Sequence, residues 1–230
     1  MKCSILQPHY LPWAGYFSMI NNVDEFVFLD DVQFIKREWK NRNKIRKTGN
    51  SEDFSWITVP IKKEFQKKNI SECKIDYSYE WQKDHLNKIK NVYSKTPYFN
   101  EIYETILNKI NLKYNSLSEL NISLIKLVMN YLEIDTKLIM SSTIKVDGQK
   151  DIKMLNISKK IKAQKILINK LSEEYLDKTI FEKSSIEVIV QNFEEKKYTQ
   201  YNNDVILDWI PKLSIIDILF NCGKNSKNLL

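Results

Sequence analysis

The sequence predicts an α/β fold: a mostly parallel sheet with flanking helices and a central helical layer. Three observations carry this. Phe26-Val27-Phe28-Leu29 is an unbroken apolar run of the kind that lies buried on both faces of a parallel sheet. Strand-like and helix-like stretches alternate at both ends of the chain, as crossover connections require. Between them, from Glu80 to Leu132, the apolar period changes to that of helices.

Taken in order, Ser4-Ile5-Leu6 reads as a first strand, and Pro8 and Pro12 oblige the backbone to turn after it. Tyr16, Phe17, Met19 and Ile20 share one face of a helix, and Phe26–Leu29 is the second strand. The stretch from Trp39 to Ile45 is a basic loop, followed by a turn over Arg46 to Asn50. Phe54 to Val59 is a strand stopped by Pro60, and Ile70 to Ile75 adds a short strand. Three helices follow, from Glu80 to the Thr96-Pro97 break, from Tyr98 to Tyr114, and from Ser118 to Leu132 with Ser118 as cap. The last third reads as strand Lys137–Ser141, helix Asp151–Lys162, strand Lys165–Ile168, helix Ser172–Leu176 and strand Ile186–Val190. A loop from Trp209 to Leu213 then leads to a helix Ser214–Cys222, ended by Gly223. With 4 glycines and 5 prolines there is little material for a flexible linker, so residues 1–230 are expected to form a single domain.

Of the 230 residues 43% are hydrophobic and 28% charged, an ordinary globular composition. No apolar run approaches the roughly 20 residues of a membrane helix. The Met1-Lys2 start has no secretory h-region, so a cytoplasmic location is expected. Cys3, Cys73 and Cys222 are widely spaced, which argues against a disulfide framework or a zinc cluster, and no metal site is expected from the residues. The net charge of +7 favours anionic partners.

Candidate site residues gather where the first strands end. Asp30 and Asp31 follow the second strand, where open α/β sheets place ligands, and alternation would send one to each side. Either could be a general base or a Mg²⁺ ligand, or a strand-end cap paired with Arg42. Gln33 shares the face of Asp31. His9 is a base near neutrality or a phosphate partner; His85, one helical turn after Trp81, is an alternative base or a satisfied core histidine. Gln7 lies at the first strand end. Asn41, Arg42 and Asn43 concentrate donors, with Arg42 suited to gripping phosphate or carboxylate by two parallel bonds. Tyr10, Trp13 and Trp39 are candidates to line a sugar or base slot. Cys222 is a conceivable thioester nucleophile. Ser141-Ser142-Thr143 forms a hydroxyl-rich loop.

QPHYLPWAGYF, LDDVQF, NRNKI and WITVP, with the Trp81/His85 helix and the closing LSIIDILFNCG, resemble the WbqC-like family along the whole chain. One departure is Asn169-Lys170-Leu171, where a glycine-containing loop is expected; without glycine the backbone cannot approach a ligand as closely. The resemblance implies a cytoplasmic enzyme of bacterial lipopolysaccharide, O-antigen or capsule biosynthesis. Its expected activity is transfer of an aminoacyl group such as glycyl, or another acyl group, to the amine of a nucleotide-linked amino sugar. The donor would be a thioester on an acyl carrier, an acyl-adenylate made with ATP and Mg²⁺, or a charged tRNA. A second resemblance, confined to the first strand–turn–helix–strand, is to adenylate-forming nucleotidyltransferases. Their HxGH turn is absent here, since His9 is followed by Tyr-Leu-Pro-Trp-Ala-Gly. A non-catalytic scaffold of polysaccharide assembly is the remaining alternative.

Overall fold

The computed structural model describes residues 1–48, 53–202 and 205–230. Among the described residues nine strands run in chain order: β1 (Lys2–Leu6), β2 (Glu25–Phe28), β3 (Arg42–Arg46), β4 (Phe54–Thr58), β5 (Lys137–Met140), β6 (Lys165–Ile168), β7 (Glu187–Val190), β8 (Gln200–Asn202) and β9 (Val205–Leu207). The helices are α1 (Ala14–Asn21), α2 (Trp81–Tyr93), α3 (Phe99–Asn111), α4 (Leu117–Tyr131), α5 (Ser141–Ile144), α6 (Lys150–Lys160), α7 (Lys170–Glu173), α8 (Lys178–Glu182) and α9 (Ile215–Cys222).

Strands β5, β2, β1, β6 and β7 form, in that spatial order, a five-stranded sheet whose four pairings are all parallel. Alternation explains why these sequences are apolar throughout. Phe26, Phe28 and Leu167 face one core, while Cys3, Ile5, Val27, Ile166 and Ile168 face the other. The first core takes α1, the layer α2–α4 and α9. The second takes α6 and Phe181 of α8. Among the sheet strands the chain visits positions in the order 3-2-1-4-5, so the winding reverses between β1 and β6. Ligands of open α/β sheets bind at the carboxyl ends of such a pair.

Several expectations are corrected. Trp39 to Ile45 is not simply a basic loop, because Arg42–Arg46 is a strand paired antiparallel with β4, Lys44 opposite Trp56. Its cations alternate with Asn43 and Ile45, which are buried, and that alternation is the strand signal the charge run obscured. Ile70–Glu72 is a short 3-10 turn closed by an Asn69/Glu72 capping box, and only Ile75 makes a bridge, to Ile61. Ser116 caps α4, accepting from Glu119 N–H at 3.2 Å, whereas Ser118 lies inside the helix. The expected turn beyond Thr48 lies outside the described residues.

The C-terminal helix closes back on the N-terminus. Ser214 Oγ donates to the Leu11 carbonyl at 2.8 Å, and Ile215 N–H to that of Pro12 at 2.9 Å. Buried Asp217 accepts from Tyr93 and Tyr198 hydroxyls, each at 2.8 Å, and from Gln200 at 3.0 Å. Burial raises its pKa, which these donors partly offset. Arg46, also buried, joins this network through Gln200 and the Asp208 carbonyl. No helix among the described residues is long and apolar enough to cross a membrane.

Candidate functional site

The loop from Gln7 to Trp13 leaves β1 at the reversal point, and nearly every carbonyl along it is held. Tyr16 hydroxyl donates to Gln7 O at 2.9 Å, Asn121 Nδ2 to Pro8 O at 2.9 Å, and Asn43 Nδ2 to Tyr10 O and Leu11 O at 3.1 and 2.6 Å. Tyr10 N–H donates to Trp39 O at 2.9 Å. Leu11 takes φ of +43°, a conformation a branched side chain adopts only when its surroundings impose it. A loop bonded by groups from β3, α4 and α9 is pre-organised, with its ordering cost met in folding.

What this loop presents is His9. The imidazole is half-buried, lies 5.2 Å centroid to centroid from the Tyr16 ring, and makes no hydrogen bond with any described residue. Burial, with a smaller contribution from the Lys40 ammonium, pushes its pKa down to about 3, so the ring is neutral at physiological pH. Its expected role as a base poised near neutrality is therefore revised, since so weak a base is better suited to neutral hydrogen bonding. Lys40 is 3% exposed, pairs with Glu38, and is pushed down to about 8 by burial. Its carbonyl accepts from the same Asn121 amide that holds Pro8, at 2.7 Å. Sequence reasoning passed over Lys40 and Glu38; the cue available was a lysine between Trp39 and Asn41 in a stretch whose other cations alternate outward.

The two aspartates sit on the adjoining rim and are already engaged. Asp30, 2% exposed, accepts from Ser142 N–H and Oγ at 2.9 Å each and from Ser141 Oγ at 3.1 Å, tying β2 to the start of α5. Asp31 accepts from Lys153 Nζ at 2.7 Å and from the Ser141 hydroxyl. The two do not diverge to opposite sides, because the strand ends at Phe28 and alternation no longer governs them. Neither pairs with Arg42.

The remaining candidates are dispersed. His85 is 1% exposed between α2 and β4. Its Nε2 faces the Thr58 carbonyl at 3.2 Å, which makes that nitrogen the donor and leaves Nδ1 to accept from Tyr10 hydroxyl at 3.0 Å. Both Tyr10 and His85 are thus core residues rather than rim residues. Asn43 and Asn41 serve backbone, Asn41 Nδ2 donating to Val59 O at 2.9 Å. Gln33 is exposed and bridges Asn69 through its backbone. Trp13 packs edge-on to Phe193 at 5.5 Å and lies over Gly15, where an added Cβ would come within 2.4 Å of its ring. Gln7 is half-buried at the rim, Arg42 stacks on Trp56, and Trp39 is exposed. Asn169 caps α7, accepting from Ser172 N–H at 2.8 Å. The Cys222 thiol is raised to about 11 by burial and by Asp217, which disfavours a thiolate.

Surface hollows of about 500 and 540 Å³ lie elsewhere, between α3 and α4 and beside Tyr77; none of His9, Lys40 or Asp31 lines them. The shifted groups lining them, Tyr131 in one and Asp76, Tyr77 and Tyr114 in the other, are hydrogen-bonded to neighbouring residues, whereas His9 makes no hydrogen bond with a described residue, so the strand-end rim is the better candidate. Among the described residues no group of three or more His, Cys, Asp or Glu is placed to hold a metal ion.

The sequence profile of the WbqC-like protein family matches residues 7–229. The chain is 33% identical over 232 residues to the uncharacterized protein Rv1507c of Mycobacterium tuberculosis, covering 100% of this chain and 97% of that one. No solved structure matches.

Proposed function

The chain belongs to the WbqC-like protein family, and from that premise we propose that it is an enzyme of bacterial surface-glycan biosynthesis. In this reading it transfers an aminoacyl or acyl group to the amine of a nucleotide-linked amino sugar. The observation that carries the reading is His9, which makes no hydrogen bond with a described residue, held at the reversal point of a doubly wound sheet within reach of the charge of the buried Lys40.

The sugar's free amine nitrogen attacks the acyl carbonyl carbon. A C–N bond forms, and the bond from that carbon to an oxygen or sulfur leaving group breaks. The proton shed by the nitrogen passes to Lys40 Nζ; with a pKa of about 8, roughly a tenth of it is neutral at pH 7. His9 donates an N–H to a phosphate or to the acyl oxygen, a task for which a neutral ring is sufficient. The engaged Asp30 and Asp31 hold the rim in shape. Residues 1–230 act as one unit in this reading, since α9 packs on the loop that carries His9.

The strand order also accommodates an ATP-dependent, nucleotidyltransferase-like reaction at the same rim. Thermal shift against UDP- and dTDP-amino sugars, ATP with Mg²⁺ and acyl-CoA separates the readings. A ligand at a hundred times its Kd stabilises by about 2.7 kcal/mol. A shift with an amino-sugar nucleotide, lost in His9→Ala, supports the transferase; a shift with ATP alone replaces it with the second reading.

A further inference from the structure

On the outward face of β3 and β4, Trp39, Trp56 and Phe54 form a continuous aromatic surface. Ring centroids of Trp39 and Trp56 are 5.5 Å apart, and those of Phe54 and Trp56 5.8 Å. Arg42 lies 3.9 Å over Trp56, and Lys44 Nζ lies 4.1 Å from the Phe54 centroid and 5.8 Å from that of Trp39. Trp39 is 41% exposed.

Among the described residues neither Arg42 nor Lys44 forms an ion pair, the Arg42 guanidinium makes no hydrogen bond, and its Nε is buried without a partner. Lys36 and Arg37, both exposed, precede Trp39 and are likewise unpaired. A fork ordered by stacking and left with free donors is suited to phosphate, and aromatic rings among free cations are how unpaired nucleic-acid strands are held. Asn43, on the opposite face of β3, holds the His9 loop, and Trp39 immediately precedes Lys40. The surface therefore adjoins the rim without being part of it.

We propose that this face binds a single-stranded stretch of RNA. Resting on the transferase reading, the bound strand is the unpaired end of a charged tRNA whose aminoacyl ester is the donor, its carbonyl presented to Lys40 and His9. RNA is favoured over a mononucleotide because three adjoining rings carrying Arg42 and Lys44 exceed what one base and its phosphates would engage.

The test is fluorescence anisotropy of the full chain with a labelled eight-residue oligoribonucleotide, deacylated tRNA and labelled ATP, each over a salt series. The expected result is RNA binding that weakens steeply with salt and falls about 10-fold in Trp39→Ala, with a shallower salt slope in Arg42→Gln. Circular dichroism melting shows that each variant folds, and Lys44→Gln substitutes if either does not. No RNA binding, binding unchanged in folded variants, or ATP bound as tightly as the octamer would each overturn the proposal. Failure here leaves the amino-sugar thermal shift untouched, and loss of that shift in His9→Ala leaves RNA binding untouched, so the two readings fail separately.

Discussion

One side-chain amide, that of Asn43, donates to two successive carbonyls, Tyr10 at 3.1 Å and Leu11 at 2.6 Å. Its own oxygen accepts from Lys44 N–H at 2.8 Å, which fixes which way the amide points. A buried residue of β3 thereby joins Ser214 in holding Leu11 in its left-handed conformation.

Asn43→Ala leaves two buried carbonyls with fewer donors and releases Leu11. Buried groups left unsatisfied cost about 1–3 kcal/mol, and this loss is expected in urea unfolding. Asn43→Asp should cost at least as much, because a carboxylate offers no donor and faces two carbonyl oxygens. A variant as stable as the parent would show that the loop is held by Asn121 and Ser214 alone.

The reverse holds for His9. With no hydrogen bond to a described residue and partial exposure, His9→Ala is expected to cost less than about 1 kcal/mol in stability while abolishing the nucleotide-sugar thermal shift. Unfolding midpoints measured beside ligand shifts test the pair of expectations; a strongly destabilised variant would mark His9 as a packing residue.

Lys40 supplies a pH dependence for the reaction. Its ammonium is disfavoured by burial, so the neutral amine that accepts the proton grows as pH rises through about 8. Acyl transfer, followed as product formed per unit time, is expected to climb about 10-fold between pH 7 and pH 9 with saturating substrate, and to lose that limb in Lys40→Met. A flat profile in the parent enzyme would remove Lys40 from the role of base.

Much of this architecture is legible in the sequence, and the limits have physical causes. Sheet strands buried on both faces announce themselves as apolar runs, so Phe26–Phe28 and Lys165–Ile168 are read correctly. β3 reads as a loop because Arg42, Lys44 and Arg46 recur at every second position, and only the burial of Asn43 and Ile45 between them shows it to be a strand. Tyr10 in the first loop and Asn43 in β3 look like ligand contacts for a related reason. A polar side chain serving other buried groups of the protein and one serving a substrate share the same composition, and only the partner atom tells them apart. His85 belongs to that class, whereas His9 does not.

The acid limb of stability should be dominated by those histidines. Burial lowers His85 to about 4, its Thr58 bond and Asp84 only partly opposing, and lowers His9 to about 3. A folded pKa below the unfolded value of about 6.5 means the unfolded chain takes up the proton first. Their contribution is complete above pH 6.5 and is lost progressively as pH falls toward 4 and then 3. For His85 the loss amounts to about 3 kcal/mol. Asp217 acts in the opposite sense, because burial raises its pKa and protonation relieves a buried charge. His85→Gln retains an acceptor for Tyr10 and a donor for Thr58 without a titrating ring. Urea unfolding at pH 7 and pH 4 should show the variant losing about 2–3 kcal/mol less than the parent over that interval. Equal losses in both proteins would mean that His85 titrates normally and that its two hydrogen bonds open before the fold does.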